Sequence, residues 1–268
     1  MATGLLALAA FTVGFAMLAK RVEASVLTAP MVFLAFGYLL SQTELMPHAG
    51  AEEGLHLVAE IALILLLFLD AAQIDLAALR QRHVWPARML GLGLPLSIAL
   101  GTLAAWPALP GWPLVAVALV ASILAPTDAA LGQAVVTNPV VPERTRRGLT
   151  VESGLNDGLA LPLVLLFASL AGEVSEPEAA GWIVFAAQQL VLGPIVGIAS
   201  GTIGGVLLMR AQDRGLTSAT FEGIGAISLA GMAYLGASEI GGNGFIAAFV
   251  AGLCFGNTVK GRCKFVYE

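Results

Sequence analysis

The chain has 268 residues, of which 58% are hydrophobic and 12% are charged, with a formal net charge of −5. Soluble domains carry about twice that share of charged residues, so the composition excludes an ordinary soluble protein and predicts a polytopic membrane protein. The Lys and Arg residues form no patch on an amphipathic face, which argues against nucleic acid as a partner. The two cysteines have neither the spacing nor the neighbours of a metal site, and no cofactor is expected.

The apolar runs predict nine transmembrane helices in a single all-α membrane domain, residues 1–268, because a hydrocarbon core of about 30 Å needs about 20 apolar residues per helix. The seventh run is longer than one straight span, and Gly193-Pro194 predicts a kink in it. The eighth is rich in glycine and is interpreted as one helix or two shorter ones. The nine runs are Thr3–Ala19, Ser25–Ser41, Gly54–Gln73, Met89–Trp106, Trp112–Val136, Gly148–Gly172, Ala179–Met209, Thr217–Ser238 and Gly242–Phe255.

The thirteen basic residues test this count, since all of them fall on one predicted side of the membrane. The loops of the opposite side contain acids only. The positive-inside rule then places the N-terminus outside and the C-terminus in the cytoplasm, with a bacterial inner membrane as the expected location. The basic residues are Lys20, Arg21, Arg80, Arg82, Arg88, Arg144, Arg146, Arg147, Arg210, Arg214, Lys260, Arg262 and Lys264.

The fifth predicted span contains a helix-breaking sequence, Ala-Pro126-Thr127-Asp128. Pro126 removes a backbone donor and frees carbonyls near Ser122. Unpaired backbone at membrane depth is tolerated only where it faces protein or a watery cavity, and interrupted helices of this kind form ion sites in secondary transporters. Asp128 is interpreted either as the N-cap of the second half-helix or as part of a cation site, and the two roles are compatible.

The sixth predicted span carries two carboxylates, an amide and a hydroxyl. Glu152 and Asn156 are four residues apart and share one helical face, and Ser153 and Asp157 share the neighbouring face. Carboxylates inside a membrane are costly and indicate a functional site by default. Oxygen ligands of this type suit a hard cation such as Na⁺, and the lack of nearby His or Cys disfavours softer metals. Stapling of helices by these acids is the structural alternative.

The same span contains two glycines four residues apart, Gly154 and Gly158. A small-xxx-small pair lets another helix approach closely, so the polar stripe is expected to be pressed against a neighbour. No Lys or Arg remains inside a predicted span. The buried acids must therefore find another partner, and a transported cation or a proton is such a partner.

The chain resembles the monovalent cation:proton antiporters, in the sodium/proton exchanger branch, over essentially its whole length. The resemblance is carried by Ala-Pro-Thr127-Asp128 and by Glu152-Ser-Gly-Leu-Asn156-Asp157. The run from Gly242 to Gly252 is similar to a late helix of such proteins. It implies exchange of a monovalent cation, Na⁺ first with K⁺ or Li⁺ as alternatives, for protons within the lipid bilayer, and a homodimer. Because Asn156 cannot ionise, electroneutral exchange is expected.

The resemblance also implies the site residues. In the family, the aspartate that matches Asp157 binds cation and proton in turn. The positions expected to bind the monovalent cation are Thr127, Asp128, Ser153 and Asp157, with Asp157 and Asp128 as the charged ligands. The positions expected to organise the site are Glu152, Asn156 and the helix breaker Pro126.

Members of the family have further helices that this sequence does not contain. The last three core helices would supply a second interrupted helix and an arginine that pairs with the glutamate matching Glu152. We therefore expect residues 1–268 to correspond to the N-terminal two-thirds of the antiporter fold and not to catalyse exchange alone. The alternatives are an inactive or partner-dependent fragment, an intramembrane aspartyl protease and a channel. The protease is disfavoured because Asn156, not glycine, precedes the second aspartate.

Overall fold

The structure is a computed structural model that describes residues 2–23, 27–43, 51–77, 88–126, 140–172 and 179–263. Within these ranges the chain forms nine α-helices and no strand, which confirms the predicted all-α class. A π-helical turn, Met89–Gly93, precedes the fourth helix, and a 3-10 turn, Trp106–Ala108, follows it. The helices are α1 (Ala2–Glu23), α2 (Ala29–Ser41), α3 (Ala51–Ala72), α4 (Leu94–Ala105), α5 (Leu114–Leu124), α6 (Glu143–Ala171), α7 (Ala179–Asp213), α8 (Ala219–Glu239) and α9 (Gly244–Val259).

Three stretches of the described residues are long and apolar enough to cross a membrane: Gly54–Ala72, Met89–Ala108 and Gln188–Asp213. Four shorter apolar helical stretches accompany them: Ala29–Ser41, Leu114–Leu124, Gly158–Ala171 and Gly244–Val259. Seven of the nine predicted spans therefore coincide with apolar helix in the described part of the chain. The fifth predicted span continues into residues 127–139, which lie outside the described ranges.

Two details of the long helices differ from simple expectation. Helix α7 continues as one α-helix through Pro194, although proline removes one backbone hydrogen bond there. Helix α8 is also one helix, so the alternative of two pieces is wrong. Two of its glycines pack on α7: a methyl group at Gly236 would lie 3.6 Å from Val196, and one at Gly225 would lie 3.8 Å from Leu208. This packing outweighs the low helix propensity of glycine.

The π-helical turn Met89–Gly93 was not predicted, and Pro95 explains it. Proline has no N–H to donate to the carbonyl of Gly91, and its ring crowds the preceding turn. The backbone widens instead, and the N–H of Leu94 bonds to the carbonyl oxygen of Met89, five residues back. Single π-helical turns inside α-helices often mark functional sites.

The chain divides into two compact units, Met1–Glu60 and Ile61–Glu268, with α3 beginning in the first and ending in the second. In the first unit, α1 packs on α2 through phenylalanine rings. The ring of Phe11 stacks on that of Phe36 with centroids 3.8 Å apart, and Phe33 meets Phe11 edge-on at 5.2 Å. All of the predicted site residues belong to the second unit.

Helix α9 is the centre of the second unit, and most of its residues are buried. Four glycines of α7, spaced four apart, give it a groove without side chains on one face: Gly193, Gly197, Gly201 and Gly205. A methyl group at Gly197 would lie 2.6 Å from the carbonyl oxygen of Ala247, and one at Gly201 would overlap the backbone of Ala251. The backbones of α7 and α9 are therefore in direct contact.

On a second face, α9 itself supplies the glycines. A methyl group at Gly252 would overlap the carbonyl oxygen of Phe68 in α3. One at Gly256 would overlap the carbonyl oxygen of Ala72 in the same helix. The rings of Phe68 and Phe255 add a contact with centroids 5.5 Å apart. Helices α3, α7, α8 and α9 thus form one tightly packed group, which we call the frame.

The directions of these helices alternate as the predicted topology requires. Later residues of α7 contact later residues of α9, so these two helices are parallel. The same holds for α3 and α9. Contacts of α8 with α7 run in opposite senses, from Gly236 on Val196 to Gly225 on Leu208, so this pair is antiparallel. Helices α3, α7 and α9 therefore run in one direction, and α8 runs in the other.

Helices α4, α5 and α6 form the second packed group, which we call the site group. Its core joins Leu94 and Ile98 of α4, Ala121 of α5 and Ala160 of α6. Helix α6 also contacts the π-helical turn. The residues predicted to bind or organise a cation lie on this group or in the chain that joins α5 to α6.

Candidate functional site

Helix α6 carries the predicted acidic stretch in the middle of a continuous helix that passes through Pro162. Glu152 is partly buried, and Asn156 is only 1% exposed. The two residues occupy one face, as their spacing predicts. Backbone positions 153 and 157 lie in the same helix, but the side chains of Ser153 and Asp157 are outside what the structure describes.

Helix α6 has two packed faces, and the predicted site lies between them. Ala160, one turn after Asn156, packs on Leu94, Ile98 and Ala121 in the core of the site group. Leu155 and Leu161 pack instead against residues of α3 and α9. With roughly 100° of rotation per residue, backbone position 157 falls between these two faces.

The end of α5 agrees with the predicted helix break. The helix stops at Leu124, two residues before Pro126, although Ala125 still has helical backbone angles. Pro126 has no N–H to donate to the carbonyl of Ser122, so the helical hydrogen bonding cannot continue there. Ser122 is fully buried in the last turn, and its Oγ donates a hydrogen bond of 2.7 Å to the carbonyl of Ala118. Thr127 and Asp128, both predicted cation ligands, lie outside the described residues. Whether the helix resumes after them stays a prediction.

The close approach predicted for the glycine pair is present at Gly158. A methyl group there would lie 2.5 Å from two ring carbons of Phe249 in α9. The surroundings of Gly154 lie outside the described residues. The polar stretch of α6 is therefore pressed against the frame at the residue that follows position 157.

Asn257 is a structural residue that the sequence reasoning missed. Its Oδ1 accepts the N–H of Leu76 at 2.9 Å, and its Nδ2 donates to the carbonyls of Ile74 and Leu253 at 2.8 Å each. Asp75 supports the same turn, since its Oδ1 accepts the N–H of Ala77 at 2.8 Å. The amide of Asn257 thus joins α9 to the end of α3. A polar residue in the last turn of an apolar helix was the only sequence signal.

The beginning of α9 is fixed in a similar way. Asn243 precedes the helix with extended backbone, and its Oδ1 accepts the N–H of Ile246 at 2.9 Å, which is an N-cap. Asn243 is itself buried. The run from Gly242 to Gly252 therefore owes its composition to capping and to close packing on α3 and α7.

Comparison with known proteins adds the identity of this fold. The family model "sodium/hydrogen exchanger, transmembrane" matches residues 7–263. The K(+)/H(+) antiporter NhaP2 of Shewanella oneidensis is 30% identical over 212 residues, which are 77% of this chain and 36% of that protein. The K(+)/H(+) antiporter NhaP of Alkalimonas amylolytica is 27% identical over 248 residues, 90% of this chain and 41% of that protein.

These matches cover most of this chain but less than half of each relative. The chain spans 36% to 41% of the length of these curated relatives. The family match, in contrast, covers nearly the whole chain and includes α6, the end of α5 and all of α9. The chain belongs to the sodium/hydrogen exchanger family.

Proposed function

We propose that this chain carries the cation and proton site of a secondary antiporter that exchanges a monovalent cation for protons across a membrane. The observation that carries the proposal is the turn Glu152–Gly158 of α6. It places acidic and amide residues in a helix that is packed on the site group on one side and on the frame on the other. A carboxylate inside a membrane span is costly and indicates a functional site by default.

Asp157 is the proposed carrier, which binds a proton and a cation in turn. A carboxylate inside an apolar span is costly as a bare charge, which is the reason for giving this role to an aspartate of α6. Thr127, Asp128 and Ser153 supply further oxygen ligands in this proposal. Glu152, Asn156 and the end of α5 at Pro126 hold the ligands in place.

The test is Asp157→Asn in the full-length protein, reconstituted in vesicles with a pH-sensitive dye. Cation-driven proton flux is expected to vanish, because Asn cannot take up a proton. Asp213→Asn is the matched control, since Asp213 is an exposed residue at the end of α7, and its flux is expected to match that of the wild type. Appreciable exchange by Asp157→Asn would contradict the assignment of the carrier.

Asn156 cannot ionise, so the neighbouring residues Asn156 and Asp157 have one titrating carboxyl group between them. One monovalent cation then replaces one proton on that group, which makes the proposed exchange electroneutral. An imposed membrane potential is then expected to leave the exchange rate unchanged. Asn156→Asp adds a second carboxylate at a position that is 1% exposed, and its exchange is expected to respond to the potential. A potential-driven wild type would contradict this part of the proposal.

The choice of cation is settled by the same assay with Na⁺ and K⁺ in parallel. Hard oxygen ligands alone led to Na⁺ as the expectation, whereas the names of the relatives favour K⁺. We also propose that the protein is a homodimer in a bacterial inner membrane. Its N-terminus is then outside and its C-terminus in the cytoplasm, on the side of the basic loops.

A further inference from the structure

The contact between Gly158 and Phe249 joins the site group to the frame next to the proposed carrier. The ring lies on the bare backbone of α6, and a methyl group at Gly158 would lie 2.5–2.6 Å from three of its carbons. Carbon atoms pack at about 3.5–4.0 Å. An added methyl group would therefore displace either the ring or the helix by about 1 Å.

The ring has little room to yield. Phe249 is 8% exposed, and its apolar cluster contains Leu67 and Ala71 of α3 and Ile74 just after that helix. Leu155 and Leu161 of α6 pack against the same cluster on either side of Gly158. Protein interiors of this density transmit displacement instead of absorbing it. A change at Gly158 would accordingly move α6.

The contact differs from the closest backbone contacts inside the frame. Where Gly201 meets Ala251 and Gly252 meets Phe68, glycine lets two backbones touch. Between α6 and α9, a side chain meets a backbone. The position of α6 against the frame is thus set by the size of one ring, and positions 156 and 157 follow it because they precede Gly158 in the same turn.

We propose that Phe249 is a positioning residue for the cation site, with its ring on Gly158 fixing where the Asn156–Asp157 turn stands relative to the frame. This inference rests on the proposed exchange function. Phe249 itself binds neither cation nor proton. It acts through α6, so its replacement changes how well the site holds a cation even where the protein folds normally.

The experiment uses the full-length protein in vesicles and measures the apparent KM for K⁺ and for Na⁺ per amount of folded protein. Gly158→Ala is expected to raise the KM or lower the maximal rate about tenfold or more, since misplacement by 1 Å costs up to about a hundredfold. Gly158→Ala with Phe249→Leu is expected to restore both parameters to within about twofold of the wild type. Shrinking the ring makes room for the added methyl group.

Two controls separate position from packing. Gly158→Ala with Phe255→Leu shrinks another buried ring of α9, which packs on Phe68, and is expected to give no rescue. Gly101→Ala adds a methyl group that would lie 3.5 Å from the Cβ of Ala121, an ordinary contact, and is expected to match the wild type. Should Gly158→Ala yield no folded protein, Phe249→Ala is compared with Phe255→Ala, and only the former is expected to change the KM.

Three results would overturn the inference while the wild type exchanges cations. These are equal effects of Gly158→Ala and Gly101→Ala, a lack of rescue by Phe249→Leu, and equal changes in KM for Phe249→Ala and Phe255→Ala. A wild-type protein that exchanges neither Na⁺ nor K⁺ for protons would overturn the proposed function itself, and this inference with it.

Discussion

The contacts of α9 with α7 and with α6 both depend on glycine, and they use it differently. On α7, Gly193, Gly197 and Gly201 let the backbones of the two helices touch, and Gly205 meets side chains of α9. On α6, the contact at Gly158 receives a phenyl ring. The first arrangement brings backbone atoms together, and these cannot rotate away as a side chain can. In the second, the spacing of the two helices depends on the size of one side chain.

This difference separates structural packing from packing that a site can depend on. Helix–helix association within lipid lacks a hydrophobic driving force, so close approach of small residues supplies van der Waals contact instead. The α7–α9 pair uses this along several turns. The α6–α9 contact gives up some of that area for a ring beside the Asn156–Asp157 turn. We expect substitutions in the two places to fail in different ways, by loss of folded protein in the first and by altered cation affinity in the second.

The largest effect is expected from Gly201→Ala on α7. Its methyl group would overlap the backbone of Ala251, and backbone cannot rotate away as a side chain can. The cost is expected at or above the upper end of the usual overpacking range of about 1–3 kcal/mol. Thermal unfolding in detergent measures it, and the yield of monodisperse protein should fall with it.

The matched control for that substitution is Gly225→Ala on α8. Its methyl group would meet only Leu208, at 3.8 Å, and alanine favours helix over glycine by about 1 kcal/mol. This variant is expected to be as stable as the wild type or more so. Equal destabilisation by Gly201→Ala and Gly225→Ala would show that the α7–α9 contact is not as tight as described.

A smaller effect is expected from Asn257→Ala in the last turn of α9. The substitution removes the partners of the Ile74 carbonyl and the Leu76 N–H. Ile74 is buried whereas Leu76 is exposed, so one buried backbone group loses its partner, at a cost of about 1–3 kcal/mol. Unfolding experiments should show this loss, and hydrogen exchange should rise at Leu76. Unchanged exchange there would contradict the hydrogen bond.

The smallest effect is expected from Arg262→Gln. Arg262 forms an ion pair of 2.9 Å with Asp213 between the ends of α9 and α7, and both side chains are more than half exposed. Such pairs contribute less than about 1 kcal/mol and are screened by salt. The variant is expected to unfold within a degree or two of the wild type. A large loss of stability would mean that the α7–α9 contact depends on its ends and not on its glycines.

The sequence was sufficient to predict the order of the helices and the acidic turn of α6. Apolar runs and loop charges are one-dimensional signals, and they identified the helices within about five residues, apart from the end of the fifth span, which lies outside the described residues. The π-helical turn before α4 was missed because the effect of Pro95 depends on which hydrogen bonds its neighbours form instead. Phe249 and Asn257 were missed because their contacts are with other helices. The role of an aromatic residue or an amide in an apolar helix can be assigned only when the opposing helix is known. Thr127 and Asp128 stay predictions, as do the side-chain roles of Ser153 and Asp157.

The amide of Asn257 has a consequence for the order in which the protein is made. Its partner at the end of α3, Leu76, lies 181 residues earlier in the chain. At roughly 5–20 residues per second, a ribosome needs on the order of 10 to 40 s to travel between them. During that time the face of α3 that packs on the glycines of α9 is not covered by α9. Early membrane segments of this protein must wait for late ones, and a chaperone or lipid that occupies the face of α3 in the interval would control how much of the protein matures.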